Sequence, residues 1–377
     1  MQSAKASEFP RRILLAVTGL TPQVVTETLY ALAHGPDAWI PTEVHLVTTR
    51  EGAERARLAL LSEQPGWFDR LLRDYALPAI AFGNDHIHVL RNAQGQPLDD
   101  IRTLQDNQHA ADQITELVRS LTADDSAALH VSIAGGRKTM GYYLGYALSL
   151  FGRPQDRLSH VLVSEPFESS WNFFYPTPYE HIIQVKGEKL ADCRHARVDL
   201  ADIPFVRLRE GLPERLRVGH VLFSQAVGAA NRALLPPRLQ LDVKRRSVLA
   251  DEEVISLGPT EFTVLYWLAR RRQTGEPEVD WSTREAAEEF LATAAQVMNP
   301  ASGEYERLER AFNGRMDDPK ALGEYFEPQK SRINKAFTDA LGEHAAQRYA
   351  ITRSGGRGAS RYGLPLFSDA IIIEETT

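Results

Sequence analysis

Residues 128–151 read ALHVSIAGGRKTMGYYLGYALSLF. The first seven form an apolar run of strand length, residues 128–134. Gly135-Gly136-Arg137-Lys138-Thr139 follows at once. From Met140 to Phe151 the apolar residues return at a helical spacing. A strand that passes through a glycine pair into a helix is half of a parallel βαβ unit. Upstream, residues 12–18 (RILLAVT) give a second such strand. A helix over 22–34 follows, with Val24, Val25, Leu29 and Leu32 on one face and Pro22 in its first turn. Residues 43–49 (EVHLVTT) and 159–164 (SHVLVS) read as further strands, and 86–90 as a short one. Helical patterns lie at 51–62, 67–75 and 106–121. This alternation predicts an α/β fold, a Rossmann-like doubly wound, mostly parallel sheet with right-handed crossovers.

The chain has 377 residues, 43% of them hydrophobic and 25% charged, with a formal net charge of -7. Its length suggests two domains and enough apolar material for real cores. A negative total charge argues against wholesale electrostatic binding of nucleic acid, although a local basic face is compatible with it. The single cysteine, Cys193, cannot form an internal disulfide and suits a reducing cytosol. With His195 it makes a Cys-Arg-His triplet, but a zinc site needs about four ligands and no second cluster accompanies it, so no metal site is expected. Residues 1–10 lack the apolar core of a signal peptide, and no run reaches the roughly 20 apolar residues of a membrane span. The expectation is a soluble cytoplasmic protein without membrane contact or cofactor.

Two loops carry chemistry. Thr18-Gly19-Leu20-Thr21-Pro22-Gln23 follows the first strand and opens a helix. Ser132-Ile133-Ala134-Gly135-Gly136-Arg137-Lys138-Thr139 follows a later strand and opens another. Both would lie at the carboxyl edge of the sheet, where ligands of open parallel sheets bind. Helix N-termini there offer free N–H groups and partial positive charge to phosphate. The two glycines let the backbone approach a ligand. Arg137 presents a fork matched to phosphate oxygens and Lys138 a compact charge. Neither the Walker A pattern nor the dinucleotide fingerprint is satisfied. On spacing alone, a glycine turn with solvent-facing Arg and Lys fits equally well.

The stretches 18–30 (TGLTPQVVTETLY) and 132–150 (SIAGGRKTMGYYLGYALSL) resemble signatures of the CARF proteins, the CRISPR-associated Rossmann-fold sensors. They are most similar to the branch that includes the archaeal ring nucleases. The resemblance covers residues 11–185. It implies a homodimer whose two-fold axis passes through the ligand site, with cyclic oligoadenylate, a cyclic tetra-adenylate above all, as the symmetric ligand. It implies ligand contacts from Thr18, Gly19, Thr21, Gln23, Ser132, Gly135, Gly136, Arg137, Lys138 and Thr139. Some relatives cut the ring without metal: a ribose 2′-hydroxyl attacks the adjacent phosphorus and leaves a 2′,3′-cyclic phosphate. On that basis Lys138 would stabilise the phosphorane and the leaving oxygen, Arg137 would share the charge, and Thr18 or Thr21 would orient the nucleophile. Relatives often have serine in the first loop, where this chain has threonine.

Other groups have plainer readings. His86 and His88 alternate along a strand and read as structural, or one faces the ligand edge. Glu165 and Trp171 follow the last strand and could line an adenine pocket, although core or interface packing suits Trp171 better. Tyr142, Tyr143 and Tyr146 form a helical stripe that reads as packing.

The sequence divides into a ligand-binding domain over 1–200 and a mainly α C-terminal domain over 201–377. The second opens with a long helix over 213–234 and short strands at 239–243 and 253–257. Gly258-Pro259-Thr260-Glu261 then introduces a helix, followed by helices over 284–298, 302–312 and 329–341. A hairpin over 349–364 closes the series, with Ser354-Gly355-Gly356-Arg357-Gly358 at its tip. This order, and residues 259–265 (PTEFTVL), resemble the winged helices of response regulators. Lys330, Arg332 and Lys335 would sit on a recognition helix and Arg353, Arg357 and Arg361 on a wing. Lys330, Arg332, Lys335 and Arg357 are therefore candidate nucleic-acid contacts, and DNA a candidate partner. The same charges also suit a solvated surface, and Glu252, Glu253, Glu278, Asp280, Glu285, Glu288 and Glu289 would repel DNA from any face they share.

Two functions follow: a ring nuclease that ends a type III CRISPR signal, or a sensor that holds the ring intact and regulates through its C-terminal domain. A nucleotide-binding Rossmann protein of another kind is the third reading.

Overall fold

A computed structural model describes residues 8–168, 170–232, 235–276, 278–356 and 360–374. The chain forms two compact units. One contains the residues up to Arg209 together with Arg217–Val227; the other contains Glu210–Leu216 and the residues from Gly228 onward.

In the first unit the strands are β1 (Arg11–Val17), β2 (Glu43–Thr48), β3 (Ile87–Val89), β4 (Ala127–Ser132) and β5 (Arg157–Val163). A small antiparallel pair, β6 (Ile182–Gln184) and β7 (Leu190–Asp192), precedes β8 (Val198–Asp202). The main sheet has the order β3-β2-β1-β4-β5-β8. All its pairs are parallel except β5 with β8. Arg11–Val17 and Ala127–Ser132 are buried along almost their whole length, as central strands covered on both faces must be. This is the Rossmann-like doubly wound sheet that the alternation of strands and helices predicts.

The helices are α1 (Gln23–His34), α2 (Arg50–Ala56), α3 (Trp67–Asp74), α4 (Leu104–Leu121) and α5 (Lys138–Phe151). Leu14, Ala16, Val44 and Leu46 present one sheet face to Val25 and Leu29 of α1, Ala53 of α2 and Phe68 and Leu71 of α3. Helices α4 and α5 pack on each other, and α5 touches β1 and β4. The strand order reverses between β1 and β4, which makes the gap between their carboxyl ends the topological switch point. Beneath α5, Arg153 and Asp156 form an ion pair at 2.9 Å, almost wholly buried. Asp156 also accepts from the backbone N–H of Leu129 at 2.9 Å, tying β4 to the turn before β5.

The expected single helix over 213–234 is two: α6 (Glu214–Val218) and α7 (Phe223–Arg232). Carboxylates of α4 capture the amides that would have continued it. Glu116 accepts from Val221 N at 3.3 Å and Asp112 from Phe223 N at 2.8 Å.

The second unit has a four-stranded sheet in the order β11-β10-β9-β14, built from β9 (Leu239–Asp242), β10 (Ser247–Ala250), β11 (Glu253–Ile255) and β14 (Ile371–Glu374). Helices α8 (Pro259–Gln273), α9 (Arg284–Val297), α10 (Gly303–Phe312), α11 (Pro319–Leu341) and α12 (Glu343–Ala346) lie between β11 and the hairpin β12 (Thr352–Ser354) with β13 (Arg361–Gly363). The unit is mainly α, as the sequence suggested, and also holds this four-stranded sheet. Trp267, Trp281, Phe290, Phe312 and Phe326 form its aromatic core. Helix α11 starts ten residues before the expected Gln329 and runs through Pro328. Burial of Leu322 and Phe326 on the same face as Ile333 outweighs the amide that the proline lacks. Asp318 caps its start.

Candidate functional site at the switch point

The two loops expected to carry chemistry meet at the carboxyl ends of β1 and β4. A methyl group on Gly135 would lie 2.6 Å from the Val17 carbonyl oxygen and 3.3 Å from the Thr18 Cα. Only glycine lets the second loop lie so close under the first. Gly136 has φ of +78°, a left-handed turn that releases the chain into α5. Thr18 is fully buried. Its amide donates to Val47 O at 3.0 Å and its hydroxyl to Thr21 O at 2.7 Å, so it shapes the loop from within. Ser132 is also buried, its hydroxyl 3.2 Å from that of Thr28 on α1. Thr21, Gly136, Arg137, Lys138 and Thr139 are exposed. Among the described residues no side chain caps α5, and Lys138 and Thr139 stand exposed in its first turn.

Arg137 is not free. Its Nε donates to Asp100 Oδ1 at 2.8 Å and its Nη2 to Oδ2. This pairing holds the Asp100 carboxyl down at about 2. The neighbouring Asp99 pairs with Arg50 at 2.5 Å, at the start of α2. Two adjacent carboxylates thus neutralise two arginines at the sheet edge. Nothing in the sequence around Asp99 and Asp100 marks them as partners of residues 37 or more positions away.

Beside the loops lies a cavity of about 440 Å³. Its walls come from the start of α1 (Thr21, Gln23, Glu27), from Ala134 after β4, from the end of β5, and from Trp171. Gln23 is 6% exposed; its Nε2 donates to Trp171 O at 2.7 Å, while its Oε1 is buried with no partner among the described residues. Glu27, one turn along α1, is 8% exposed. Burial pushes its carboxyl up to about 8. Trp171 is 56% exposed at the rim, with the Arg55 guanidinium over its ring at 5.5 Å. Glu27 sits inside a helix marked by its apolar face, and the burial that sets Thr26, Glu27 and Thr28 apart is not legible in the sequence.

His86 and His88 lie elsewhere, beside His45 of β2. His88 Nε2 is 2.8 Å from His45 Nδ1, and His86 packs edge-on against His45. Donor atoms of Glu43, His45 and His86 come within 4.8 Å of one another. Arg11 occupies the Glu43 carboxylate at 2.6 Å. Burial lowers the His45 and His88 pKa values, the latter to about 4, so both rings are neutral near pH 7. Cys193 is buried, its thiol pushed up to about 11, and among the described residues it belongs to no metal-ligating cluster. Tyr143 and Tyr146 pack on Phe223, while Tyr142 stays exposed.

In the second unit, Lys330 pairs with Glu327 at 2.6 Å and Arg332 with Glu261 at 3.1 Å. Lys335 is exposed. Arg353 donates to Ser360 Oγ at 2.8 Å. Arg357 lies outside the described residues. Among the described residues no helix is long and apolar enough to cross a membrane.

The family model described as CRISPR-associated protein NE0113 matches residues 21–235, more than half of the chain, and takes in both the cavity wall on α1 and the second loop. The chain belongs to this CRISPR-associated family. No curated protein matches it. Among solved structures it is similar to Csm6 of Enterococcus italicus bound to cyclic hexa-2′-fluoro-hexa-dAMP, at 11% identity and a TM-score of 0.29, over 87% of this chain and 61% of that one. It is also similar to Can2 of Sulfobacillus thermosulfidooxidans in complex with cyclic tetra-adenylate, at 11% identity and a TM-score of 0.22, over 93% and 74%. The chain therefore spans about three fifths of the length of that Csm6.

Proposed function

We propose that this CRISPR-associated protein binds a cyclic oligoadenylate, cyclic tetra-adenylate in the first instance, across a two-fold homodimer in the cytoplasm and opens the ring without metal. The observation that carries this reading is the meeting of two glycine-bearing loops at the switch point, where the uncapped N-terminus of α5 presents Lys138 and Thr139. Family membership supports a role in CRISPR defence.

In the proposed reaction a ribose O2′ forms a bond to the adjacent phosphorus as the P–O5′ bond breaks. O2′ loses its proton to solvent and O5′ gains one, leaving a 2′,3′-cyclic phosphate and a 5′-hydroxyl. Such a step needs in-line placement and charge stabilisation more than a strong base. Lys138 supplies charge to the phosphorane and the leaving oxygen. Arg137 shares it once a phosphate competes with Asp100. Thr18 positions the first loop, and Thr21 carries its exposed hydroxyl.

A second reading concerns the C-terminal unit. The sequence of α11 followed by the β12–β13 hairpin fits a winged helix that contacts DNA under control of the ring. Among the described residues Lys335 would be its main cation, since Lys330 and Arg332 are paired with Glu327 and Glu261.

The deciding experiment is incubation with radiolabelled cyclic tetra-adenylate in EDTA. Linear di-adenylate ending in a cyclic phosphate, lost in Lys138→Ala while binding persists, is the expected result. An uncut ring held by the wild-type protein would leave a sensor, and no binding would overturn the reading.

A further inference from the structure

The cavity beside the loops contains two buried polar groups that the reaction does not use. Gln23 and Glu27 stand four residues apart on α1, on one face of the helix. Among the described residues Gln23 Oε1 is buried without a partner. Among the described residues no hydrogen bond or ion pair reaches the Glu27 carboxyl, although it is more than nine-tenths buried. An unpartnered carboxyl held in such a place costs stability unless something else binds it.

A buried carboxyl that keeps its proton offers a donor and an acceptor side by side. Adenine offers the complement: an acceptor ring nitrogen beside the N6 amino donor. On the Hoogsteen edge, where adenine presents N7 beside the amino group, guanine presents two acceptors, N7 and O6, and an ionised carboxylate has no donor for either base. The second hydrogen of the adenine amino group needs one more acceptor, which Gln23 Oε1 supplies. Trp171 offers a ring face at the cavity rim for stacking. We propose that Gln23 and Glu27 form an adenine-reading wall, in which Glu27 acts as a neutral carboxylic acid that donates to a ring nitrogen and accepts from the amino group. This rests on the cyclic-adenylate reading and assigns its base specificity.

Burial alone raises the Glu27 carboxyl, to about 8, so the proton is present at neutral pH and lost in mild alkali. His160 on β5 and Glu168 beyond it face the same cavity. Of the other elements against α1, the residue that ends α3 at its C-cap, Tyr75, packs on Tyr30, and β8 brings Asp199 and Asp202, paired with Arg197 and Arg157. All of these remain in a Glu27→Gln variant, which therefore controls for their titration.

The test is calorimetric titration of the full chain with cyclic tetra-adenylate carrying 2′-fluoro groups, which lacks the 2′-hydroxyl nucleophile. Glutamine keeps a donor beside an acceptor, so Glu27→Gln should bind within about threefold of wild type at pH 7, and Glu27→Ala about tenfold or more weaker. Wild-type affinity should fall about tenfold between pH 7 and pH 9, with Glu27→Gln unchanged. Equal affinity of wild type and Glu27→Ala would overturn the role of Glu27 alone. So would a folded Glu27→Gln that binds as poorly as Glu27→Ala, or the same alkaline loss in both wild type and Glu27→Gln. Absence of wild-type binding at both pH values would overturn this wall and the cyclic-adenylate reading together.

Discussion

Arg137 and Asp100 face each other fork to fork, Nε on Oδ1 at 2.8 Å and Nη2 on Oδ2. The guanidinium expected to meet a phosphate is thus already satisfied by a carboxylate from the segment before α4. A ligand phosphate must share or displace that partner. Exposed pairs of this kind are worth about 0.2–1 kcal/mol. Asp100→Asn should therefore tighten binding of cyclic tetra-adenylate by up to about fivefold and steepen its salt dependence, as measured by titration at two ionic strengths. Weaker binding in Asp100→Asn would show that the carboxylate orients Arg137 for the ligand.

The contact beneath Gly135 gives a second prediction. A methyl group there would press on the Val17 carbonyl at 2.6 Å. Gly135→Ala should destabilise the first unit by about 1–3 kcal/mol, because backbone on both sides has to move. It should also weaken ring binding. Thermal melting checks the first effect and titration the second.

Breaking the buried Arg153–Asp156 pair should cost more. Asp156→Ala leaves a buried guanidinium without its carboxylate and the Leu129 amide without its acceptor. A loss of about 3–5 kcal/mol is expected in denaturant unfolding.

Glu27 gives the stability of the first unit a pH dependence. Its folded value, about 8, lies above the ordinary carboxyl value of 4.5, so folding favours the protonated form. The stabilisation is complete below about pH 4.5 and is lost as the pH rises through about 8. The full span is on the order of 5 kcal/mol. Glu27→Gln should remove this slope, so that variant and wild type diverge most at pH 9 in denaturant unfolding curves.

The parts of the fold legible in the sequence were those where one signal adjoined another. Strands β1 and β4 are apolar runs that end in glycine, and the helices after them begin with the expected spacing. The antiparallel strand β8 was not legible: VDLAD carries two aspartates and lies at the sheet edge, where one face meets solvent. The break between α6 and α7 depends on Glu116 and Asp112, which lie a hundred residues earlier. The loops of the site could be read because glycine and basic residues mark them locally. Asp100 and Glu27 could not, since each acquires its role from burial or from a partner distant in the chain.

The space under Gly135 is too small for a single methyl group, and this has a mechanical consequence. The first loop rests on the second through the Val17 carbonyl and the Thr18 Cα, with the stiff, β-branched Val24 side chain beside them. If the proposed ring binds, pressure on Thr21 would be felt at the root of Lys138, and the two loops would answer the ligand together.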